Sequence, residues 1–165
     1  MAFIYCPNCK KNLSLIVNRR IDCKHCGFVF YFSPALTNGA IIENKKGEIL
    51  LVKRKFPPKK GFWDVAGGFV DYNENFEQSL IREVKEELGV EMTDLKYFAS
   101  GEDRYLFKGV NYHTICVFFT GKIDGEKFVP ADDISDYKFF PKDKIPYSRL
   151  AFKNLIKAIK DYQAQ

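Results

Sequence analysis

Two pairs of cysteines constrain how the start of the chain can fold. "CPNC" supplies Cys6 and Cys9, "CKHC" supplies Cys23 and Cys26, and 13 residues separate the two pairs. A structural Zn²⁺ takes four ligands in a tetrahedron, and two such knuckles supply four thiolates. We therefore predict a small zinc ribbon over residues 1–34, with His25 as a bystander because four sulfurs complete the coordination sphere. The alternative is two disulfides, which a reducing cytosol disfavours.

The composition limits the rest of the molecule to an ordinary folded domain. The chain has 165 residues, of which 46% are hydrophobic and 16% aromatic, so a real core is expected and disorder is not. No apolar run approaches the roughly 20 residues that span a bilayer. The N-terminus, "MAFIYCPNCK", lacks the pattern of a signal peptide. We expect a cytoplasmic protein with no membrane partner.

The charge distribution argues against nucleic acid as the main partner. The formal net charge is +5, and most of it lies in residues 1–34, which hold five basic residues and one acidic residue. Four thiolates and one Zn²⁺ would add two negative charges there. Little excess positive charge would then remain anywhere, which is a weak electrostatic basis for binding nucleic acid.

A cluster of acids on one helix is the strongest sign of chemistry. In "REVKEELG", residues 82–89, Glu86 and Glu87 follow Glu83 by three and four positions and share its helix face. Like charges four residues apart destabilise a helix by roughly 0.2–0.5 kcal/mol, so a positive group is expected among them. The helix is predicted to begin after the N-cap Asn75, with Gln78 completing a capping box, and to end at Gly89. Its predicted buried stripe contains Phe76, Leu80, Ile81, Val84 and Leu88.

The remaining pattern predicts an α+β fold. Two strands should flank a turn at residues 44–47, and "GFWDVAGGFV" should be a strand that runs into a loop, with Trp63 in the core. Further strands are expected near residues 94–103, 111–123 and 136–140, with Cys116 in the core, and a second amphipathic helix is expected over 148–162. This irregular alternation favours an α+β or mixed-sheet sandwich over a doubly wound sheet.

The long stretch "GGFVDYNENFEQSLIREVKEELGV" matches the Nudix box, G-x5-E-x7-R-E-U-x-E-E-x-G-U, at every fixed position. The matching residues are Gly68, Glu74, Arg82, Glu83, Val84, Glu86, Glu87, Gly89 and Val90. The chain thus resembles the Nudix hydrolases over residues 35–165. With the ribbon in front, it is most similar to zinc-ribbon Nudix pyrophosphatases that act on FAD or ADP-ribose. The resemblance implies a mixed β-sheet sandwich flanked by helices.

The resemblance also implies roles for the acids. Glu86 and Glu87 would bind Mg²⁺ or Mn²⁺ with Glu83 beside them, and carboxylate oxygens are the ligands that these ions prefer. Arg82 would orient Glu83, and Glu74 would brace the junction of loop and helix. Gly67 or Gly68 would let the backbone approach the metal closely. The alternative for the acids is an ordinary solvated helix face.

The family usually adds one acid from outside the box, more often Glu than Asp. Asp133 in "PADDISDYKFFP" is the first candidate, before Asp136, Asp132 and Glu102; the alternative for each is a solvated loop acid. For substrate contacts we predict Gly68, Phe56 and Arg54, whose planar guanidinium suits phosphate oxygens. The nearby Lys53, Lys55, Lys59 and Lys60 are expected to be mostly solvated. Five rings could stack on adenine or flavin or simply pack: Tyr31, Phe32, Phe56, Tyr72 and Tyr105.

Three functions compete. The first is metal-dependent hydrolysis of the pyrophosphate bond in a small nucleoside diphosphate-linked compound such as FAD or ADP-ribose. The second is a zinc-ribbon nucleic-acid module that acts on capped RNA. The small excess of positive charge argues against it. The third is a non-catalytic ligand sensor, against which the intact box argues. The chain lacks the "SQPWPFP"-like signature of NAD pyrophosphatases, so NADH is not the first substrate expected. A homodimer is compatible with all three.

Overall fold

The chain divides into two compact units, Met1–Pro34 and Ala35–Gln165. The computed structural model describes residues 4–13, 16–17 and 19–165, with the backbone alone for residues 16–17. No helix in these ranges is long and apolar enough to cross a membrane.

The first unit is a small antiparallel sheet with two cysteine-bearing turns. Its strands are β1 (Ile16–Val17), β2 (Arg20–Asp22) and β3 (Val29–Tyr31), in the order β1-β2-β3. Each turn is closed by a backbone hydrogen bond of 2.9 Å to the carbonyl of its first cysteine, from Lys10 to Cys6 and from Gly27 to Cys23. Each Cys-x-x-Cys pair therefore forms part of a tight turn.

The second unit has six strands and two α-helices. In chain order they are β4 (Ala35–Ile42), β5 (Ile49–Arg54), β6 (Trp63–Asp64), α1 (Phe76–Leu88), β7 (Met92–Phe107), β8 (Val110–Ile123), β9 (Ile134–Phe140) and α2 (Lys153–Gln163). One sheet has the order β4-β8-β7, with β4 parallel to β8 and β7 antiparallel to it. The other has the order β6-β5-β9 and is antiparallel. Mixed sheets with two helices confirm the predicted α+β class.

The side chains of β5 point alternately to the two faces of its sheet, and one helix packs on each face. On β5, Leu50 and Val52 pack in the cluster that contains Leu80 and Val84 of α1. The intervening Leu51 packs in the cluster that contains Leu155 and Ile159 of α2. Successive strand residues point to opposite faces, so a continuous apolar run such as "ILLV" is buried on both.

The predicted turn at residues 44–47 is confirmed, but its two flanking strands enter different sheets. The Asn44 side-chain oxygen accepts hydrogen bonds of 3.0 Å from the backbone N–H groups of Lys46 and Glu48. Only an isolated bridge, Glu43 to Ile49, joins the two strands directly among the pairings that the structure records. The pairing partners come from distant parts of the chain, which a local turn signal does not specify.

Two details of the helices differ from the prediction. Ile81 is 37% exposed, whereas Ser79 is fully buried. The buried row of α1 runs through Leu80, Val84 and Leu88 at four-residue spacing, and Ile81 lies beside that row. The second helix begins at Lys153, five residues later than predicted, because Tyr147–Arg149 after Pro146 forms a 3-10 turn and Phe152 is extended.

Candidate active site

The four paired cysteines converge in the first unit. Their sulfur atoms all lie within 4.8 Å of one another, with Cys6 Sγ 3.8 Å from Cys26 Sγ and Cys9 Sγ 3.7 Å from Cys23 Sγ. These distances exceed the roughly 2.05 Å of a disulfide bond, so the disulfide alternative does not hold in this structure. The arrangement is compatible with a tetrahedral zinc site. His25 is exposed and is not a member of the group.

In the second unit, helix α1 carries the predicted acids. Its predicted N-cap and capping box are confirmed. The Asn75 side chain accepts a hydrogen bond from the Gln78 N–H at 2.8 Å, and the Gln78 side chain accepts from the Asn75 N–H at 3.0 Å. Gly89 ends the helix in the left-handed conformation with φ +74°. Both ends of the helix are therefore set by local sequence, which holds the acids in register.

Arg82 is the positive group that lies among the carboxylates. Its Nε donates to Glu74 Oε1 at 2.7 Å and its Nη2 to Glu74 Oε2 at 3.0 Å. Its Nη1 donates to both Glu83 Oε1 and Glu86 Oε2 at 2.9 Å. The contacts with Glu83 and Glu74 agree with the roles expected for these residues, whereas the bridge to Glu86 was not predicted.

The Arg82 contacts set the protonation of Glu74. The Arg82 hydrogen bonds lower the pKa of Glu74 to about 2. Glu74 Oε2 also accepts the backbone N–H of Asp71 at 3.2 Å. Glu74 thus ties the loop that precedes α1 to the arginine on the helix.

Glu87 has the most unusual environment in the cluster. It is 4% exposed, and its Oε2 accepts the backbone N–H of Gly67 at 3.1 Å. Burial raises the pKa of Glu87 well above its usual range, although the Gly67 hydrogen bond opposes this. No ion pair to a basic side chain is found for it in the part of the chain that the structure describes. A desolvated carboxylate of this kind fits a hard divalent cation, which would supply the missing positive charge.

Glu83 lies between Arg82 and the glycine loop. Burial raises the pKa of Glu83, and the hydrogen bond from Arg82 opposes the rise. A Cβ on Gly68 would lie 2.5 Å from Glu83 Oε1, closer than any real contact. A Cβ on Gly67, where φ is +140°, would lie 2.5 Å from the carbonyl oxygen of Asn38. Gly67 therefore requires glycine, because its Cβ would meet backbone at a positive φ, whereas a side chain at Gly68 would displace the Glu83 carboxylate.

Asn38 holds the glycine loop in place, and sequence reasoning did not find it. It is 5% exposed, its side-chain oxygen accepts the Gly68 N–H at 3.2 Å, and its own N–H donates to the Gly68 carbonyl at 2.9 Å. Its amide nitrogen donates to the Phe76 carbonyl at 3.5 Å. A polar residue inside the apolar strand "ALTNGAII" is the signal that could have identified it.

A cavity of about 330 Å³ opens beside the glycine loop. Gly67, Gly68 and Asp133 lie in its lining, and so does a set of aromatic rings: Phe69, Tyr105, Phe107, Tyr112 and Phe152. Tyr105 and Tyr112 stack on each other with ring centroids 5.4 Å apart and an interplanar angle of 13°. Gly67, whose N–H binds the Glu87 carboxylate, therefore connects the acid cluster to a cavity with an aromatic wall.

The predicted substrate contacts divide between the cavity and its surroundings. Gly68, Arg54 and Tyr105 line it, whereas Phe56 and Tyr72 are absent from its lining and are 49% and 99% exposed. Phe56 is therefore not part of the cavity wall, and its contact with substrate stays a prediction. The adjacent Pro57 and Pro58 line the cavity instead, because the loop turns those residues inward.

Arg54 reaches the cavity but is partly committed to other groups. Its Nη1 donates to Asp64 Oδ2 at 2.9 Å, its Nε donates to the Pro58 carbonyl at 2.9 Å, and its guanidinium lies 5.2 Å from the Phe152 ring centroid. Burial raises the pKa of Asp64, which Arg54 opposes. Arg54 therefore stabilises the cavity wall as well as offering charge to a ligand.

Asp133 is the only one of the four candidate outside acids in the cavity lining, which also contains Asp64 and Asp103. It lines the cavity, and its negative charge is among the causes that raise the pKa of Glu87. A hydrogen bond of 3.0 Å from the Ala131 N–H to the Glu87 carbonyl anchors its loop to α1. Asp136 instead binds the N–H of Tyr137 with its own carboxylate, and Glu102 pairs with Arg104 at 3.5 Å.

Comparison with known proteins agrees with these observations. The NUDIX domain family model matches residues 34–161. The ADP-ribose pyrophosphatase of Methanocaldococcus jannaschii is 37% identical over 134 residues, which cover 80% of this chain and 75% of that protein. The NAD-capped RNA hydrolase NudC of Pseudomonas aeruginosa is 31% identical over 146 residues, 86% of this chain but only 49% of that protein. The crystal structure of a NUDIX hydrolase from Nitrosomonas europaea superposes with a TM-score of 0.74 at 23% identity, covering 98% of this chain and 91% of that one.

Proposed function

Because this chain belongs to the Nudix hydrolase family, we propose that it cleaves the pyrophosphate bond of nucleoside diphosphate-linked compounds, with ADP-ribose and FAD as the first substrates. The observation that carries the proposal is the buried carboxylate of Glu87, which accepts the N–H of Gly67 in the lining of an aromatic cavity. A desolvated acid without a basic partner is costly unless a cation or a proton neutralises it.

Glu83, Glu86, Glu87 and Asp133 are the residues that would hold Mg²⁺ or Mn²⁺. When bound, such an ion neutralises the diphosphate and lowers the pKa of a coordinated water. Arg82 donates to Glu83 Oε1 and would keep the Glu83 carboxylate oriented towards the metal.

The aromatic wall supports a substrate with a flat ring. Tyr105, Tyr112 and Phe152 line the cavity, and aromatic rings stack well on adenine or flavin. Arg54 and Gly68 line the same cavity, where they would contact phosphate oxygens. The relative from M. jannaschii is an ADP-ribose pyrophosphatase, which agrees with this choice of substrate.

A panel of substrates tests the proposal. Purified protein should be incubated with ADP-ribose, FAD, a sugar nucleotide and NADH, in Mg²⁺ and in Mn²⁺, with phosphate measured after phosphatase coupling. We expect hydrolysis that needs the metal and leaves phosphate on both products, for example AMP and ribose 5-phosphate. A folded protein that hydrolyses none of them in either metal would overturn the proposal.

The state of the cysteines also bears on the cellular compartment in which the protein works. Four reduced thiols that are poised for zinc suit a reducing compartment. We therefore propose that the protein works in the cytoplasm.

A further inference from the structure

One face of strand β8 forms part of the cavity lining. Every second side chain of a strand points to the same face, so alternate residues of β8 reach the cavity together. They are Tyr112, Thr114, Cys116 and Phe118. On the neighbouring β7, Asp103 lies opposite Thr114 and Tyr105 lies opposite Tyr112, and both also line the cavity. Thr114 is therefore one residue pair away from the stacked tyrosines.

The hydroxyl of Thr114 is buried, and none of the described residues forms a hydrogen bond with it. The residue is only 6% exposed. Every fully enclosed side-chain nitrogen or oxygen in the described part of the chain has a partner, so the Thr114 oxygen is not fully enclosed. Because Thr114 lines the cavity, the space that its hydroxyl faces is the cavity itself.

The neighbours of Thr114 on the adjacent strands do not supply the missing partner. The Asp103 carboxylate is already committed: its Oδ1 accepts the Arg104 N–H at 2.7 Å, and its Oδ2 accepts the first backbone N–H of α2 at 2.9 Å. On the other side, β4 places Ala35 opposite Thr114, and an alanine side chain forms no hydrogen bonds. The Thr114 hydroxyl is therefore left for water or for a ligand in the cavity.

A group of this kind favours ligands that carry a matching polar atom. A hydroxyl that loses water without gaining a partner costs free energy, whereas a ligand that supplies the partner avoids that cost. A site built to form such a hydrogen bond therefore discriminates against an analogue that lacks the polar atom, even when the analogue has the same shape. The aromatic residues beside Thr114 select by shape and stacking alone, so the hydroxyl adds a separate criterion.

We propose that Thr114 is a specificity-determining residue, whose hydroxyl forms a hydrogen bond with the polar edge of a heteroaromatic base that packs on Tyr105 and Tyr112. Residues two apart on a strand are separated by about 7 Å, a distance that a purine or flavin ring system spans. The proposal rests on the proposed function and adds that the cavity selects the base of the substrate as well as its diphosphate.

Three variants and two substrates test the inference. Thr114→Val removes the hydroxyl and keeps the branched shape, whereas Thr114→Ser keeps the hydroxyl. The matched control is Thr120→Val, the same change at a half-buried position of β8 that is absent from the cavity lining. Each protein is assayed with ADP-ribose and with an analogue in which a phenyl ring replaces adenine. The phenyl ring can stack on the tyrosines but has no polar edge.

We expect Thr114→Val to lose about tenfold in kcat/KM for ADP-ribose, as for one neutral hydrogen bond, and to stay within about twofold of the parent for the phenyl analogue. Thr114→Ser and Thr120→Val should keep the preference of the parent for ADP-ribose. Thr114→Val should melt no lower than the parent, since it breaks no hydrogen bond within the described residues. Equal losses on the two substrates, or no loss on ADP-ribose, would overturn the inference.

A binding measurement separates this inference from the proposed function. Calorimetric titration with AMP, without divalent metal, reports recognition of the base in the absence of catalysis. If the parent cleaves neither substrate but binds AMP about tenfold more tightly than Thr114→Val does, the proposed function fails and the role of Thr114 stands. If the parent hydrolyses ADP-ribose but binds AMP no more tightly than that variant, the proposed function stands and the role of Thr114 is wrong.

Discussion

At the scale of single residues, Glu87 and Arg82 play opposite electrostatic roles. Arg82 satisfies Glu74, Glu83 and Glu86 at once, whereas Glu87 is buried with one backbone N–H donor and no basic partner among the described residues. Electrostatic groups that act at developing charge contribute several kcal/mol to catalysis. Glu86 and Glu87 should therefore matter much more for turnover than for folding.

Replacing either acid tests this. Glu86→Gln and Glu87→Gln should each lower kcat by on the order of a thousandfold, because each replaces a carboxylate oxygen that we propose to bind the metal. Glu87→Gln should melt no lower than the parent at pH 7, since it removes a desolvated charge and keeps an oxygen for the Gly67 N–H. Turnover and melting temperature should be measured together, without divalent metal and with Mg²⁺.

Glu91→Gln is the control for these variants. Glu91 lies just past the helix, exposed and paired with Lys85 at 3.0 Å, and surface pairs contribute little. Glu91→Gln should change neither the turnover nor the melting temperature by much. If the Glu86 and Glu87 variants keep parental turnover, or lose it only by unfolding, the acid cluster is not the metal site.

Glu74 gives a prediction about pH. Its pKa falls from 4.5 to about 2 in the folded protein, so the ionised form is the one that folding favours. Its contribution to stability is present above pH 4.5 and is lost as the pH falls towards 2. Melting curves of the parent and Glu74→Gln should therefore differ most near neutral pH and converge on acidification. A difference that stays constant with pH would contradict this, and the exposed Glu126→Gln should show no such trend.

At the scale of elements, α2 depends on a distant strand for its N-cap. Phe152 occupies the N-cap position and offers no side-chain cap. Asp103 on β7 replaces it, accepting the Lys153 N–H at 2.9 Å and the Asn154 N–H at 3.4 Å with Oδ2. A carboxylate at this end also complements the helix dipole.

Removing that charge should weaken the helix end. Asp103→Asn should lower the free energy of unfolding by about 1 kcal/mol, measured by urea denaturation, because a charged cap is replaced by a neutral one. Asp94→Asn is the matched control, since Asp94 makes only an exposed pair with Lys122 at 2.8 Å among its recorded contacts. Equal effects in the two variants would show that Asp103 does not act as a cap.

At the scale of the whole molecule, two compact units have separate sources of stability. The second unit has two clusters of buried apolar residues, one on each side of its sheets. In the first unit, Cys6, Ile21 and Cys23 are the buried hydrophobic residues among those described. A unit with so little apolar core is expected to depend on its metal.

Removing zinc should therefore affect the first unit selectively. Elemental analysis of protein purified without added metal should find one zinc per chain. A strong zinc chelator should abolish amide-exchange protection in the first 34 residues, while Mg²⁺-dependent turnover is weakened only indirectly. Protein without zinc, or turnover lost in proportion to zinc while the fold survives, would contradict the structural role.

Much of helix α1 could be predicted from the sequence by itself. The Asn75–Gln78 capping box, the Gly89 end and the shared face of the three acids depend on residues within one or two turns of one another. The cysteine spacing likewise predicted which side chains converge. Local spacing determines such contacts because the intervening backbone geometry is nearly constant.

Only the tertiary structure decided the rest of the site. It placed Asp133 and not Asp136 in the cavity lining, directed Pro57 and Pro58 rather than Phe56 into the cavity, and brought Asn38 against the glycine loop. These contacts join residues that are tens of positions apart, or depend on how a loop turns. They follow from the register and docking of separate strands and helices, because burial of both sheet faces, and not local propensity, determines which distant segments meet.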